Sequence, residues 1–317
     1  MSHNTPIISS LKHHGIFILI LALLASNVFA KRKYNDFDVS NITINKRKVI
    51  SGGPPRDGIP SINNPKFIAI SEVNYLRDDD VIISMTHAGQ TRAYPTRILV
   101  WHEIVNDFMG DKAIAVTYCP LCGTAMVFDR NAGGALRTFG VSGLLYQSDV
   151  LMYDRETESL WSQLGMKAVS GPAVDSELDW LVSEHLTWSA WREKYPQGKV
   201  LSTDTGFAYN YQAEAYASYF KSKKTMFPVP RKRRELPNKS WVVGIIIDGQ
   251  ARAYSIKDLT EHPDFKDRLG DKQISVHYDP ETKHPRITGY DGETIPSVMV
   301  FWFAWQAFYP KTELWKP

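Results

Sequence analysis

The sequence is poor in cysteine, lacks a long apolar run and carries no large surplus of either charge. Two cysteines in 317 residues exclude a disulfide-stapled scaffold and an all-cysteine structural zinc site. Lys and Arg number 37 against 34 Asp and Glu, a near balance that gives no electrostatic reason to expect a nucleic-acid partner. The one unbroken apolar run near the start, Ile16 to Ala25, is far shorter than the ~20 residues a spanning helix needs. Lys12, His13 and His14 precede it and Val28-Phe29-Ala30 follows it. Residues 1–30 therefore read as a signal peptide cleaved after Ala30, and the mature chain as an exported protein, periplasmic or extracellular, with no stable membrane span. Glycine-rich nucleotide signatures are missing too. Gly140 and Gly143 in FGVSG are followed neither by a phosphate-loop Lys-Ser/Thr nor by Rossmann spacing, so no nucleotide cofactor is expected. Ser142 lacks the later glycine of a nucleophile elbow, since position 144 is Leu.

What is present centres on Ala113 to Arg130, AIAVTYCPLCGTAMVFDR, which holds both cysteines. An apolar run, a Cys119-Pro120-Leu121-Cys122-Gly123 corner and a second β-rich run read as a hairpin with the two sulfurs at its tip. A thioredoxin-type pair instead opens a helix, whose N-terminus lowers the thiol pKa. A metal knuckle sets two thiolates on a strand-turn-strand corner with a glycine after the second, where positive φ is needed, and Gly123 fits that pattern. Soft or borderline metals, copper as Cu(I) or zinc as Zn²⁺, suit such ligands. Two alternatives stay open: a thiol-disulfide or metal-dependent redox pair, and an inert staple in a structural or interaction protein. Closing so short a loop constrains the unfolded chain weakly, which makes the staple a poor stability device.

The chain also repeats itself. At an offset of 160, GQTRAYPTRILVWHEIVNDFMGDKAIAVTYCP lies on GQARAYSIKDLTEHPDFKDRLGDKQISVHYDP with fifteen of thirty-two positions identical. At an offset of 114, Thr187 to Leu201 lies on Phe301 to Trp315, sharing W-x-A-W-x-x-x-Y-P. The first copy thus carries 46 more residues between these landmarks, the difference of the two offsets. Each copy reads as a hairpin (VIISMTH-AG-QTRAYP in the first), a helix from Arg97 to Met109 capped by Thr96, and a further hairpin. The expected class is α+β, two degenerate repeats with packed antiparallel and mixed sheets. Its segments are an extended arm over 31–65, repeat 1 over 66–200, a linker over 201–239 and repeat 2 over 240–317.

Comparing the copies sorts the candidates. Cys119 falls on Asp279, so the unit makes its corner without sulfur. His102 falls on His262 and Tyr94 on Tyr254, which marks them as architecture. His102 is still a metal-ligand candidate beside Cys119 and Cys122, with Glu103 next to it. Helix and strand rises leave it roughly 10 Å below Cys119, while the positive helix start at Arg97 comes near the sulfurs. In SDVLMYDRETESLWSQ, Asp149, Met152, Asp154 and Glu158 lie on a hairpin whose acids read as solvated, neighbours of the corner at most. Trp188, Trp191, Trp302 and Trp305 recur at helical spacing and read as core. Arg231 to Arg234, flanked by prolines, reads as an exposed basic linker.

The run TYCPLCGTAMVFDR followed by FGVSGLLYQSDVLMYDRETESLWSQ resembles the bacterial and archaeal family catalogued as domain of unknown function 3179. The likeness extends more loosely from Val81 to the C-terminal FWFAWQAFYPKTELW. It implies no reaction, so the chemistry rests on the residues themselves.

Overall fold

The N-terminal segment is not a free arm, because its apolar residues have somewhere to go. In the computed structural model, which describes residue 1, residues 34–229 and residues 233–317, Phe37, Val39, Val49 and Ile62 are buried. Strand β1 (Val49–Ser51) pairs with Leu144 to Tyr146, and β2 (Phe67–Ala69) lies at the edge of a different sheet. Residues 2–30 of the proposed signal peptide fall outside the described residues, as do Arg231 and Lys232 of the basic cluster. From residue 34 onward the described chain is one unit.

The expected hairpin is present. Strands β3 (Val81–His87) and β4 (Gln90–Pro95) pair antiparallel around Ala88 and Gly89, at φ 48° and 74°. Two positive φ values in a two-residue loop give the turn whose twist matches the strands. The helix that follows is shorter than expected: α1 covers Thr96–His102 and stops at Glu103, which is left-handed at φ 57°. Residues Ile104–Met109 then form β5, antiparallel to β6 (Lys112–Cys119). Tertiary partners overrode the helical spacing here. The Asn106 side chain bonds the Phe139 backbone in both directions, and Asp107 receives Arg92 and the Tyr94 hydroxyl. Nor does Thr96 cap the helix; its hydroxyl donates to the Val81 carbonyl at 3.1 Å.

Strand β7 (Thr124–Asp129) completes the second hairpin, and β8 (Asn131–Ala132) with β9 (Ala135–Leu136) makes a small ribbon. A meander follows: β10 (Phe139–Tyr146), β11 (Asp149–Asp154), β12 (Leu160–Ser162) and β13 (Lys167–Ser170). With β1 it forms a five-stranded antiparallel sheet. Next, β14 (Trp180–Leu181) edges the β7-β6-β5 sheet and β15 (Glu184–Thr187) pairs with β3. After α2 (Trp188–Lys194), β16 (Lys199–Leu201) runs parallel to β4, and α3 (Ala217–Lys221) follows. The remaining elements are β17 (Trp241–Ile247), β18 (Gln250–Ser255), α4 (Ile256–Glu261), β19 (Asp264–Leu269), β20 (Lys272–Asp279), β21 (His284–Gly289), β22 (Ser297–Phe301), α5 (Trp302–Phe308) and β23 (Glu313–Leu314).

The protein is thus mostly β, with less helix than the expected α+β class implies: the described residues hold five α-helices, none longer than seven residues. None is long and apolar enough to cross a membrane. Parallel pairing occurs in equivalent places, β16 on β4 and β23 on β18. Strands β3 to β7 and β17 to β21 follow one another in the same order, and β3-β4 and β17-β18 have the same register at the 160 offset. Arg252 and the Tyr254 hydroxyl meet Asp267 as Arg92 and Tyr94 meet Asp107. The tryptophans Trp188, Trp191, Trp302 and Trp305 are buried. One core cluster gathers Cys119, Cys122, Met126, Met152, Trp161, Trp302 and Trp305, where the cysteine corner, the β10-β11 sheet and α5 meet.

Candidate metal centre

The corner is built by strand pairing and one obligatory glycine. Cys119 ends β6 opposite Thr124, the first residue of β7, and the Cys122 amide donates to the Cys119 carbonyl at 3.2 Å. Gly123 has φ 66°, and a Cβ there would lie 2.3 Å from the Trp241 ring. Both the backbone conformation and the contact therefore demand glycine. From outside the hairpin, the Phe301 amide donates to the Cys122 carbonyl at 2.8 Å and the Tyr219 hydroxyl to the Leu121 carbonyl at 2.6 Å.

A second hairpin tip meets this corner. Gln147 and Ser148, at φ 53° and 71°, turn β10 into β11, and both are buried although tips normally face water. The Gln147 amide donates to the Ala307 carbonyl at 2.9 Å and the Ser148 hydroxyl to the Pro228 carbonyl at 3.2 Å. The Ser148 carbonyl consequently points at the sulfurs, 3.0 Å from Cys122 Sγ and 4.0 Å from Cys119 Sγ. Asp149 follows at once. One carboxylate oxygen accepts the Leu164 amide at 3.0 Å; Oδ1 is buried and meets no donor at full hydrogen-bonding geometry, the two thiols being the side chains that approach this carboxyl. Both sulfurs and a carboxylate oxygen of Asp149 lie within 4.8 Å of one another, and none of the three side chains belongs to a residue more than 1 % exposed.

The electrostatics are one-sided. Among the described residues no Lys, Arg or His forms an ion pair with these groups. Burial accordingly pushes both thiols up and raises the Asp149 carboxyl to about 7. Glu103 is buried close by, its carbonyl accepting the Tyr118 amide at 2.7 Å. Burial and then repulsion from Asp149 push its carboxyl up to about 8, with no hydrogen bond opposing them. Thr124 Oγ1 and Gln163 Oε1 are also buried without partners. An orphaned buried polar atom costs about 1–3 kcal/mol. Two thiols and a buried carboxyl within 4.8 Å of one another, with no ion-paired cation among the described residues to balance them, are a donor set that fits a positive ion.

The other candidates are elsewhere. His102 is not part of the cluster: one ring nitrogen bonds the Pro60 carbonyl at 2.7 Å and the other the Tyr211 hydroxyl at 2.6 Å. Because the helix ends at His102, its C-terminal end rather than its start leads to the site, through Glu103. Asp154 is fully buried rather than solvated and serves structure, taking Trp161 Nε1 at 2.7 Å and the Thr157 amide and hydroxyl. Glu158 pairs with Arg56 at the surface. Ser142 accepts the Leu144 amide at the bulge in β10. Asp149 is the residue whose part the sequence reading underrated. Its signal is the Gln-Ser-Asp interruption between FGVSGLLY and VLMY, a tight turn that carries the acid to the strand's first position.

The sequence profile of the family described as protein of unknown function (DUF3179) matches residues 56–290. No curated protein and no solved structure matches the chain.

Proposed function

Since the chain belongs to the DUF3179 family, whose description specifies no reaction, we propose its function from the site itself: an exported protein that binds a metal ion through Cys119, Cys122 and Asp149. The observation that carries this reading is three buried donors within 4.8 Å of one another, one of them with an orphaned oxygen. Ionised, the set bears three negative charges, and a divalent ion offsets more of them than Cu(I) does. A carboxylate is also a hard ligand beside two soft ones, so Zn²⁺ fits better than two-coordinate Cu(I), and thiolates disfavour Mg²⁺ and Ca²⁺. Three protein ligands leave a fourth position for water or for Glu103.

The redox alternative has the sulfur proximity in its favour. Against it stand the complete burial of both sulfurs and the upward push on both thiols, which starve the thiolate that exchange requires. Outside the cytosol, a metal is what would keep such a pair reduced.

We further propose that β3 to β7 and β17 to β21 are degenerate copies of one unit. Support comes from the shared registers and the two Arg-Asp-Tyr clusters. In the second copy the Asp279 carboxylate closes the turn by accepting the Glu281 and Thr282 amides. The first copy then differs by its sulfurs and by the meander that brings Asp149. The test is elemental analysis of the natively purified protein, with Zn²⁺ and Cu(I) titrations against competing chelators. Wild type should hold about one equivalent of zinc, Asp149→Asn should bind more weakly, and Cys119→Ser/Cys122→Ser should bind none while unfolding cooperatively. Metal affinity untouched by all of these substitutions would refute the site.

A further inference from the structure

A cleft of about 620 Å³ lies against the other face of the cysteine corner, within the size range of small-molecule sites. Its walls come from both proposed copies, often from equivalent positions: Tyr118 with Tyr278 and Gly123 with Lys283. Most of the lining is apolar and aromatic. Trp241 and Phe220 face it while 36 % and 39 % exposed, and two large exposed rings on one cleft call for an occupant. The Thr96 and Thr260 hydroxyls in the lining donate to backbone carbonyls; the few other polar groups are unanswered. Tyr118 and Tyr278 are 7 % and 3 % exposed, and no hydrogen bond contributes to the state of either hydroxyl. His185, 5 % exposed, has Nε2 without a partner. Lys283 is the one charged side chain in the lining, and it has no ion-paired or hydrogen-bonded partner among the described residues. It also holds φ 57°, a conformation uncommon for lysine and occupied by glycine at the equivalent position, Gly123.

We propose that this cleft binds a small aromatic carboxylate. Its ring lies between Trp241 and Phe220, and its carboxylate meets the Lys283 ammonium and the tyrosine hydroxyls. A monoanion of this kind answers the Lys283 ammonium and the two tyrosine hydroxyls together, whereas an amine would face Lys283 with like charge and an alcohol would leave the ammonium without a counter-charge. The cleft is adjacent to the proposed metal site without sharing a ligand: its lining includes none of Cys119, Cys122 and Asp149, while Tyr118 lies within electrostatic reach of both sulfurs.

The test is calorimetric titration of the metal-loaded and the chelator-treated chain with 3-phenylpropionate and indole-3-acetate, beside 3-phenylpropanol and 3-phenylpropylamine. The acids should bind in both metal states, up to about fivefold more tightly than the alcohol, with the amine weakest, as expected for one ion pair to an exposed lysine. Lys283→Gln should bring the acids down to the affinity of the alcohol. Thr260→Trp, which introduces a ring from an exposed lining position of α4, should abolish binding of all four while metal content stays unchanged. No heat from either acid at millimolar concentration, equal affinity for acid, alcohol and amine, or acid binding indifferent to both substitutions would each overturn the proposal.

Discussion

Replacing Asp149 by Asn removes a charge and keeps the shape, and the metal-free protein should respond in a pH-dependent way whose sign the site dictates. In the folded chain burial raises this carboxyl from its ordinary 3.8 to about 7. Unfolding returns it to the ordinary value, so between the two the folded state holds a proton that the unfolded state has lost. Stability from this group is fully present below about pH 4 and is lost as pH rises through about 7. Three pKa units correspond to about 4 kcal/mol at most for one such group. For a chain of this size, 1 kcal/mol moves the melting temperature by roughly 2 °C, so the whole effect is about 8 °C and the part that falls above pH 5 about 5 °C. The assay is thermal unfolding of wild type and Asp149→Asn with chelator from pH 5 to pH 8, read as the difference between the two. Wild type should lose ground to the variant from pH 5 to about 7 and then hold a constant deficit. Saturating Zn²⁺ should invert the order at pH 8, because the metal binds the ionised site that the empty protein resists forming. A difference that stays flat across this range, or that grows in favour of wild type without metal, would show that the carboxyl is already ionised and balanced, and the reasoning from burial would fail.

Zn²⁺ binding at pH 6 should release about three protons, from two thiols held up by burial and the protonated Asp149; calorimetry in buffers of different ionisation enthalpy counts them, and fewer than two would exclude paired thiolate ligation. Gly123→Ala should destabilise by about 3 kcal/mol and weaken metal binding, because its Cβ falls 2.3 Å from the Trp241 ring; denaturant unfolding and a zinc competition measure both effects, and a neutral result would mean that Trp241 yields freely. Asp107→Asn and Asp267→Asn should cost similar amounts, about 3 kcal/mol each, since each strips the same Arg and Tyr partners; a large cost at one and none at the other would deny that the two clusters are equivalent.

How much of this was legible in the sequence depended on whether the cause was local. The Ala88-Gly89 turn, the cysteine corner and the buried tryptophans were readable because turn chemistry and spacing determine them. The end of α1 was not. Ile104 to Met109 carries a pattern that suits a helix, and the outcome was settled by Arg92, Tyr94 and the Phe139 backbone, partners whose distance in sequence hides them. The same limit displaced His102 and hid Asp149. Acids near a turn are ordinarily solvated, and only the packing of the Gln147-Ser148 tip against Ala307 and Pro228 carries this one inside.

The bond from the Phe301 amide to the Cys122 carbonyl has a consequence in time. The cysteines are made long before the residues that cover them, and Trp241 and Phe301 can close over the corner only after most of the chain exists. A chain still being completed therefore presents an open, loadable corner, and a finished one a sealed corner. An ion held there as proposed would exchange at a rate tied to the opening of β22 rather than to the strength of the ligand bonds alone. The Phe301 amide, bonded to the Cys122 carbonyl, is the natural clock for that opening, and release of an ion held at the corner should be no faster than its hydrogen exchange.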